Sequence, residues 1–266
     1  PRTSSRSTTT RRTRASIRRR EALAHGIAAI RVRAPHGPAA QVRASHLLAP
    51  QLLARTIPFA LYIALLAAGP WLAKHLPAPI APWLYALPLT MVTVVLLAFR
   101  RHYVELRDVR TVTPAQWALA VACGLAVFVA WIHLDLPFLT LGTPTAAWAP
   151  DAAHVRDPLW LAMRLAGAAL MVPVMEELFW RSFVMRWIDR HDFLSLPAAQ
   201  VSAKALMVSA LAFGFEHTLW FAGLLAGLVY GWLYRGRSLW VPVAAHGVTN
   251  LALGVWVIST GNWRFW

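Results

Sequence analysis

The chain has a single cysteine, Cys123, so no intrachain disulfide can form, and its apolar surroundings suit a small buried hydrophobe. Acids are scarce, at 11 Asp+Glu against 26 Lys+Arg. No internal repeat is visible, which counts against a transporter built from inverted halves. The HExxH spacing of zinc peptidases is missing, and so is a GxSxG-type nucleophile setting. What the sequence has in excess is apolar surface. Hydrophobic residues make up 58% of the 266, there are 14 Trp, and mean hydropathy is +0.50. A soluble domain of this length could not hide that surface, so the composition implies an all-α, polytopic membrane protein in contact with a lipid bilayer.

The positive charge is unevenly placed. Residues 1–50 hold eleven Arg and one Glu and carry +10 of the net +15, leaving +5 for residues 51–266. The opening "PRTSSRSTTTRRTRASIRRR" has no apolar period and no acid, which predicts disorder over 1–50. Three origins stay open: a transit-type presequence, a polybasic arm for anionic lipid, or an upstream extension outside the folded protein. Nucleic acid is not an expected partner, because neither aromatic residues nor a folded module accompany the charge.

Residues 51–266 are expected to form the transmembrane bundle. Seven segments read as spans: 57–75, 81–99, 115–134, 158–188, 203–217, 219–235 and 239–258. The fourth is too long for one straight crossing and contains Pro173, where a lost backbone donor and a clash with the preceding turn predict a kink. Loops 100–110, 186–204 and 235–237 are basic, whereas 135–157 holds Asp135, Asp151 and Asp157 against Arg156. The positive-inside rule then makes the basic loops cytoplasmic, with the N-terminus inside and the C-terminus outside. Trp71, Trp83, Trp131 and Trp240 read as interfacial belt residues, and Gly223, Gly227 and Gly231 as a close-packing stripe.

Ionisable groups inside spans are costly and normally face a bundle interior or a wet cavity. The fourth span carries Glu176, Glu177 and Arg181, the fifth ends on His217, and the seventh carries His246 and Asn250. Glu177 and Arg181, four apart, share a helix face and can pair, while Glu176 is turned about 100° away. A single polar cavity between spans four, five and seven is the economical arrangement. A carboxylate and an imidazole gripping one water make a general base, and a second imidazole with a carboxamide can stabilise an oxyanion. That inventory suits peptide hydrolysis. Glu216 lies beside His217 on another helical face and is given no role, nor are His102, His133, His154 and His191.

"EELFWR", "FGFEH" and "HGVTN" fit EExxxR, FxxxH and HxxxN in order on successive helices. Together they resemble the CAAX-protease and bacteriocin-processing (CPBP, or Abi) family of intramembrane glutamic endopeptidases. The resemblance covers a protease-like core at about 158–258. It implies a helical membrane bundle around a cavity, with Glu176 and His217 activating water, His246 and Asn250 forming the oxyanion site, and Glu177 with Arg181 in support. No cofactor and no metal are implied, and the substrate is a membrane-associated protein or peptide. "GFEHTLWFAGLLAGLVYGWLY" and "TGNW" further resemble CAAX-protease-related proteins beside bacterial exosortase systems, which implies an exosortase-type partner and the bacterial inner membrane.

The expected activity is an endopeptidase working near the cytoplasmic face. One rival is a zinc protease with Glu176, His217 and His246 as ligands. Another is a non-catalytic partner of an export or sortase apparatus, in which the polar cluster only holds helices together. For the basic extension, deletion of residues 1–50 should leave a protein that still inserts and folds. Loss of membrane insertion in the truncated protein would assign that arm a task.

Overall fold

The computed structural model describes residues 38–77, 80–142 and 154–265. The disorder expected over 1–50 falls, for residues 1–37, outside the described residues, as does Asp151 in the acidic loop. From Pro38 the chain is already helical, upstream of the expected bundle boundary.

Among the described residues there are helices and no strand. In chain order they are α1 (Pro38–Ala73), α2 (Ala86–Ala98), α3 (Pro114–His133), α4 (Pro158–Trp187), α5 (Ala203–Phe215), α6 (Trp220–Tyr234) and α7 (Trp240–Thr260). The chain is a helical membrane bundle. Residues Ala49–Ala73 of α1, and all of α3, α4 and α7, are long and apolar enough to cross a membrane by length and composition. The other three expected spans are shorter apolar helices, with α2 extended by a 3-10 turn at Ala81–Tyr85.

Local chemistry sets several helix starts. Thr113 and Gln116 form a reciprocal capping box ahead of Pro114, whose missing N–H costs nothing in the first turn. Asp157 accepts from the backbone N–H of Leu159 and Trp160 at 2.9 and 3.2 Å, again just before a proline. Ser202 caps α5 through Ala205 N–H at 3.0 Å, and is itself held by both carboxylate oxygens of Asp189.

The disturbance expected at Pro173 takes the form of π-helical turns. Within α4, Gly167–Met171 and Leu178–Val184 are π-helical, and Val172–Glu177 between them is α-helical. A proline ring clashes with the carbonyl four residues back. Here that residue is Ala169, in the widened turn.

Small residues set the spacing of the later helices. A Cβ on Gly227 would stand 2.9 Å from Ala210 Cα, and one on Gly223 3.0 Å from Gly214 Cα, so α5 and α6 meet backbone to backbone as the glycine stripe predicted.

A second polar cluster joins helices α1 and α4 to the loops that follow α2 and α4. Arg55 of α1 is 1% exposed and binds Glu105 with 2.6 and 2.7 Å contacts, Ser182 Oγ at 3.0 Å and the carbonyls of Gln51 and His102. Ser182 Oγ also donates to Glu105. Arg186 Nη1 stands 3.6 Å from the same carboxylate, while its other nitrogens donate to the carbonyls of Leu194 and Leu196. Beside this network packs an apolar cluster that includes Ala54, Tyr103, Leu178, Met185, Val201, Tyr234 and Leu239. The sequence reading counted Glu105 only as a loop charge.

Glu105 therefore serves two buried guanidinium groups at once. Removing one partner of a buried pair costs about 3–5 kcal/mol. Glu105→Gln should lower the thermal midpoint in detergent markedly, whereas Arg100→Gln, exposed in the same loop, should leave it in place. Equal midpoints would deny the network any structural weight.

Candidate active site

The fourth helix supplies two carboxylates in different settings. Glu177 is fully enclosed, and its Oε2 stands 3.1 Å from Arg181 Nε, the pair expected from the four-residue spacing. Its Oε1 lies 3.0 Å from His246 Nδ1, a contact the sequence reading did not anticipate. One carboxylate thus ties α4 to α7. Arg181 Nη1 and Nη2 have no hydrogen-bond partner among the described residues. The guanidinium instead lies over the rings of Phe213 at 4.3 Å and Tyr230 at 5.4 Å, where the faces of the π-systems attract a cation.

His246 is fixed on more than one side. Its ring stacks on Tyr230 with centroids 4.9 Å apart and planes 19° from parallel. The Tyr230 hydroxyl donates to Thr249 Oγ1 at 2.7 Å, and Thr249 lies 2.8 Å from the carbonyl of Gly124 and 3.0 Å from that of Ala245. With Nδ1 held by a carboxylate, which can only accept, Nε2 is the nitrogen left for chemistry. It stands 3.9 Å from Glu176 Oε2.

Glu176 is 5% exposed, and its Oε2 has no hydrogen-bond partner among the described residues. It lines a cavity of about 340 Å³ together with His217, His246 and Asn250. Four of the six residues singled out from sequence thus share one cavity; Glu177 and Arg181 stand behind its wall. His217 Nδ1 lies 2.8 Å from the carbonyl of Phe213, so this nitrogen carries the proton and Nε2 is bare in the neutral ring. Asn250 Nδ2 donates to the Ala168 carbonyl at 2.8 Å, in the first π turn of α4, and keeps a second N–H.

Glu216 also lines this cavity, where Trp180 Nε1 donates to its Oε2 at 3.0 Å. Sequence reasoning set it aside because neighbours on a helix point about 100° apart. The helix ends at Phe215, however, and the turn that follows brings both Glu216 and His217 to the cavity. The signal was present in "FGFEH" but depended on where α5 stops. Tyr62, Tyr85 and Arg164 form part of another wall, and no motif marked them.

Residues 158–252 match the family model described as type II CAAX prenyl endopeptidase Rce1-like. The matched stretch runs from the start of α4 into α7 and contains all six singled-out residues. The resemblance read from the three motifs is therefore shown over this segment, while the match says nothing of an exosortase subgroup. No curated protein and no solved structure matches the chain.

The double duty of Glu177 separates stability from geometry. Glu177→Gln should destabilise the bundle by roughly 3–5 kcal/mol by stranding the Arg181 charge. Adding Arg181→Met removes that charge, so thermal unfolding of the double variant should recover much of the loss. The hydrogen bond that orients His246 would still be altered. A double variant no more stable than Glu177→Gln alone would show that Arg181 is not the reason for the carboxylate.

Proposed function

We propose, from the Rce1-like match over residues 158–252 and the cavity that its polar residues line, that the chain is an intramembrane endopeptidase using a glutamate-activated water. The observation that carries this is Glu176: a buried carboxylate with an unmet oxygen, facing a cavity shared with two imidazoles. A buried polar atom left unmet costs about 1–3 kcal/mol, and more when charged, which a water or a reacting carbonyl's hydrate would relieve.

In the proposed reaction, His217 Nε2 and Glu176 hold the water, and Glu176 takes a proton from it as the water oxygen attacks the peptide carbonyl carbon. The developing oxyanion is met by the remaining N–H of Asn250 and by His246 Nε2, which donates when protonated. Glu176 then returns its proton to the leaving nitrogen as the C–N bond breaks. Glu177 is a positioning residue in this scheme. It holds Nδ1 of His246, and through Arg181 it is fixed on α4.

Among the described residues no three His, Cys, Asp or Glu side chains stand close enough to share a metal ion, so the zinc alternative finds no ligand set there. The helix cross-linking alternative accounts for Glu177, Arg181 and His246 but gives Glu176 no partner to cross-link strongly. We assign the substrate to membrane-associated proteins or peptides. On the "GFEHTLWFAGLLAGLVYGWLY" stretch and the "TGNW" segment we further propose a bacterial inner-membrane enzyme working beside an exosortase-type system. The alternation of basic and acidic loops supports a cytoplasmic N-terminus.

Glu176→Gln keeps the side chain's shape and removes its basicity. The variant should express and unfold like the parent, yet release no new peptide termini in membranes compared by terminal proteomics. Termini appearing at the parent's rate would eliminate the glutamate mechanism.

A further inference from the structure

The two ends of the bundle are identified by contacts that do not depend on the active-site reading. At one end the basic loops meet. Trp240 Nε1 donates to the Leu106 carbonyl at 2.9 Å, and Arg186 joins Glu105, the carbonyls of Leu194 and Leu196, and the Tyr234 hydroxyl at 3.3 Å. At the other end Leu141 N–H donates to the Thr218 carbonyl at 2.7 Å, Arg264 pairs with Asp135 at 2.6 Å, and Trp263 packs against Trp160.

The cavity belongs to the second end. Its lining includes Glu216 and His217 in the turn after α5, Trp131 near the close of α3, Tyr85 at the start of α2, and Phe265 beyond α7. The Glu176 and His246 side chains lie deeper, at the far end of the cavity: Glu176 is in the second half of α4 and His246 on the second turn of α7, both nearer the basic ends of their helices. Beneath them, towards the basic loops, sit the packed cluster around Leu178, Met185, Tyr234 and Leu239 and the Arg55–Glu105–Arg186 network. No lining residue comes from that cluster or from a basic loop. The expectation of an active site near the cytoplasmic face is therefore incompatible with the positive-inside orientation drawn from the same sequence.

We propose that the cavity opens on the non-cytoplasmic side, and that the substrate is a membrane-anchored protein whose cleaved segment lies on that side. The inference rests on the protease reading for the word substrate, but its geometry does not. Charge bias counted over short loops near span ends sets orientation, and loops 100–110, 186–204 and 235–237 are of that kind. With those loops held in the cytoplasm, the cavity-lining residues Glu216, His217 and Phe265 stand at the opposite end, and a peptide reaching Glu176 from that side would enter past them. A cytoplasmic peptide would have to cross the buried ionic network and its apolar layer. This substrate class differs from a cytosolic lipidated tail.

The test uses the full chain in spheroplasts of an expression host, with Cys123→Ser as background and a charged, membrane-impermeant thiosulfonate as probe. Thr218→Cys reports the rim, Leu66→Cys and Leu253→Cys the cavity wall, and His191→Cys the basic end. Thr218→Cys and at least one cavity-wall position should react in intact spheroplasts with no gain on permeabilisation, and His191→Cys only after permeabilisation. The reverse pattern would overturn the orientation. Reaction at the cavity wall only after permeabilisation, with Thr218→Cys labelled from outside, would overturn the side on which the cavity opens. Absence of reaction at both wall positions from either side would overturn it equally, since an open cavity admits a small ion. Peptide cleavage by the detergent-solubilised parent, set against Glu176→Gln, is indifferent to sidedness and judges the protease reading alone.

Discussion

Glu177 is the side chain on which the centre of this bundle depends. It has no solvent exposure, and it spends one oxygen on Arg181 and the other on His246. An intrahelical pair alone would only neutralise α4. By also holding the Nδ1 of His246, the carboxylate fixes α7 to α4, and Arg181 extends the same unit to Phe213 of α5 and Tyr230 of α6. Four helices therefore converge on one ion pair. Buried pairs seldom add net stability, because desolvation offsets the attraction. The role this arrangement suits is registry: it favours the one packing in which Glu177 meets both Arg181 and His246.

The same rule organises the opposite end of the molecule. Arg55, Glu105 and Arg186 bring two cations to one carboxylate, and backbone carbonyls of Gln51, His102, Leu194 and Leu196 take up the remaining guanidinium N–H groups. The carbonyls of His102, Leu194 and Leu196 lie in loops, where no helical partner claims them, and only that of Gln51 belongs to a helix. Arginine, with five donors in a planar fork, can use them where lysine could not. The network thus closes one end of the bundle with chemistry that needs no water, and the other end keeps the cavity.

The sequence was legible wherever the signal was local. Apolar runs located all seven helices, the four-residue spacing of Glu177 and Arg181 foretold their pair, and the glycine stripe foretold a close helix contact, which the structure makes with α5. Shared polarity on three spans placed Glu176, His217, His246 and Asn250 on one cavity. What stayed hidden depends on distance along the chain or on where a helix stops. Arg55 meets Glu105 and Ser182 across intervals no period reveals. Glu216 faces the cavity only because α5 ends one residue earlier, and Thr249 reaches the Gly124 carbonyl only because a glycine lets α3 approach α7.

The unequal fates of the two adjacent glutamates trace to a few residues of backbone. On both sides of Val172–Glu177 the helix widens into π turns, a form often found at functional sites. The first widening lies where Pro173 would otherwise press on the Ala169 carbonyl, and the neighbouring Ala168 carbonyl accepts from Asn250. The second spans Arg181 and Ser182, one serving Glu177 and the other the Arg55 network. Between them the α geometry is kept, so Glu176 and Glu177 stay about 100° apart. One is thereby directed at Arg181 and His246, with which it pairs at 3.1 and 3.0 Å. The other is directed at the cavity, where protein leaves one of its oxygens unmet. In this helix the backbone runs on unbroken past the proline, and the Ala168 carbonyl in the first widened turn takes the cross-helix bond from Asn250. Two local departures from α geometry accompany both, and they leave a single chemically free carboxylate between them.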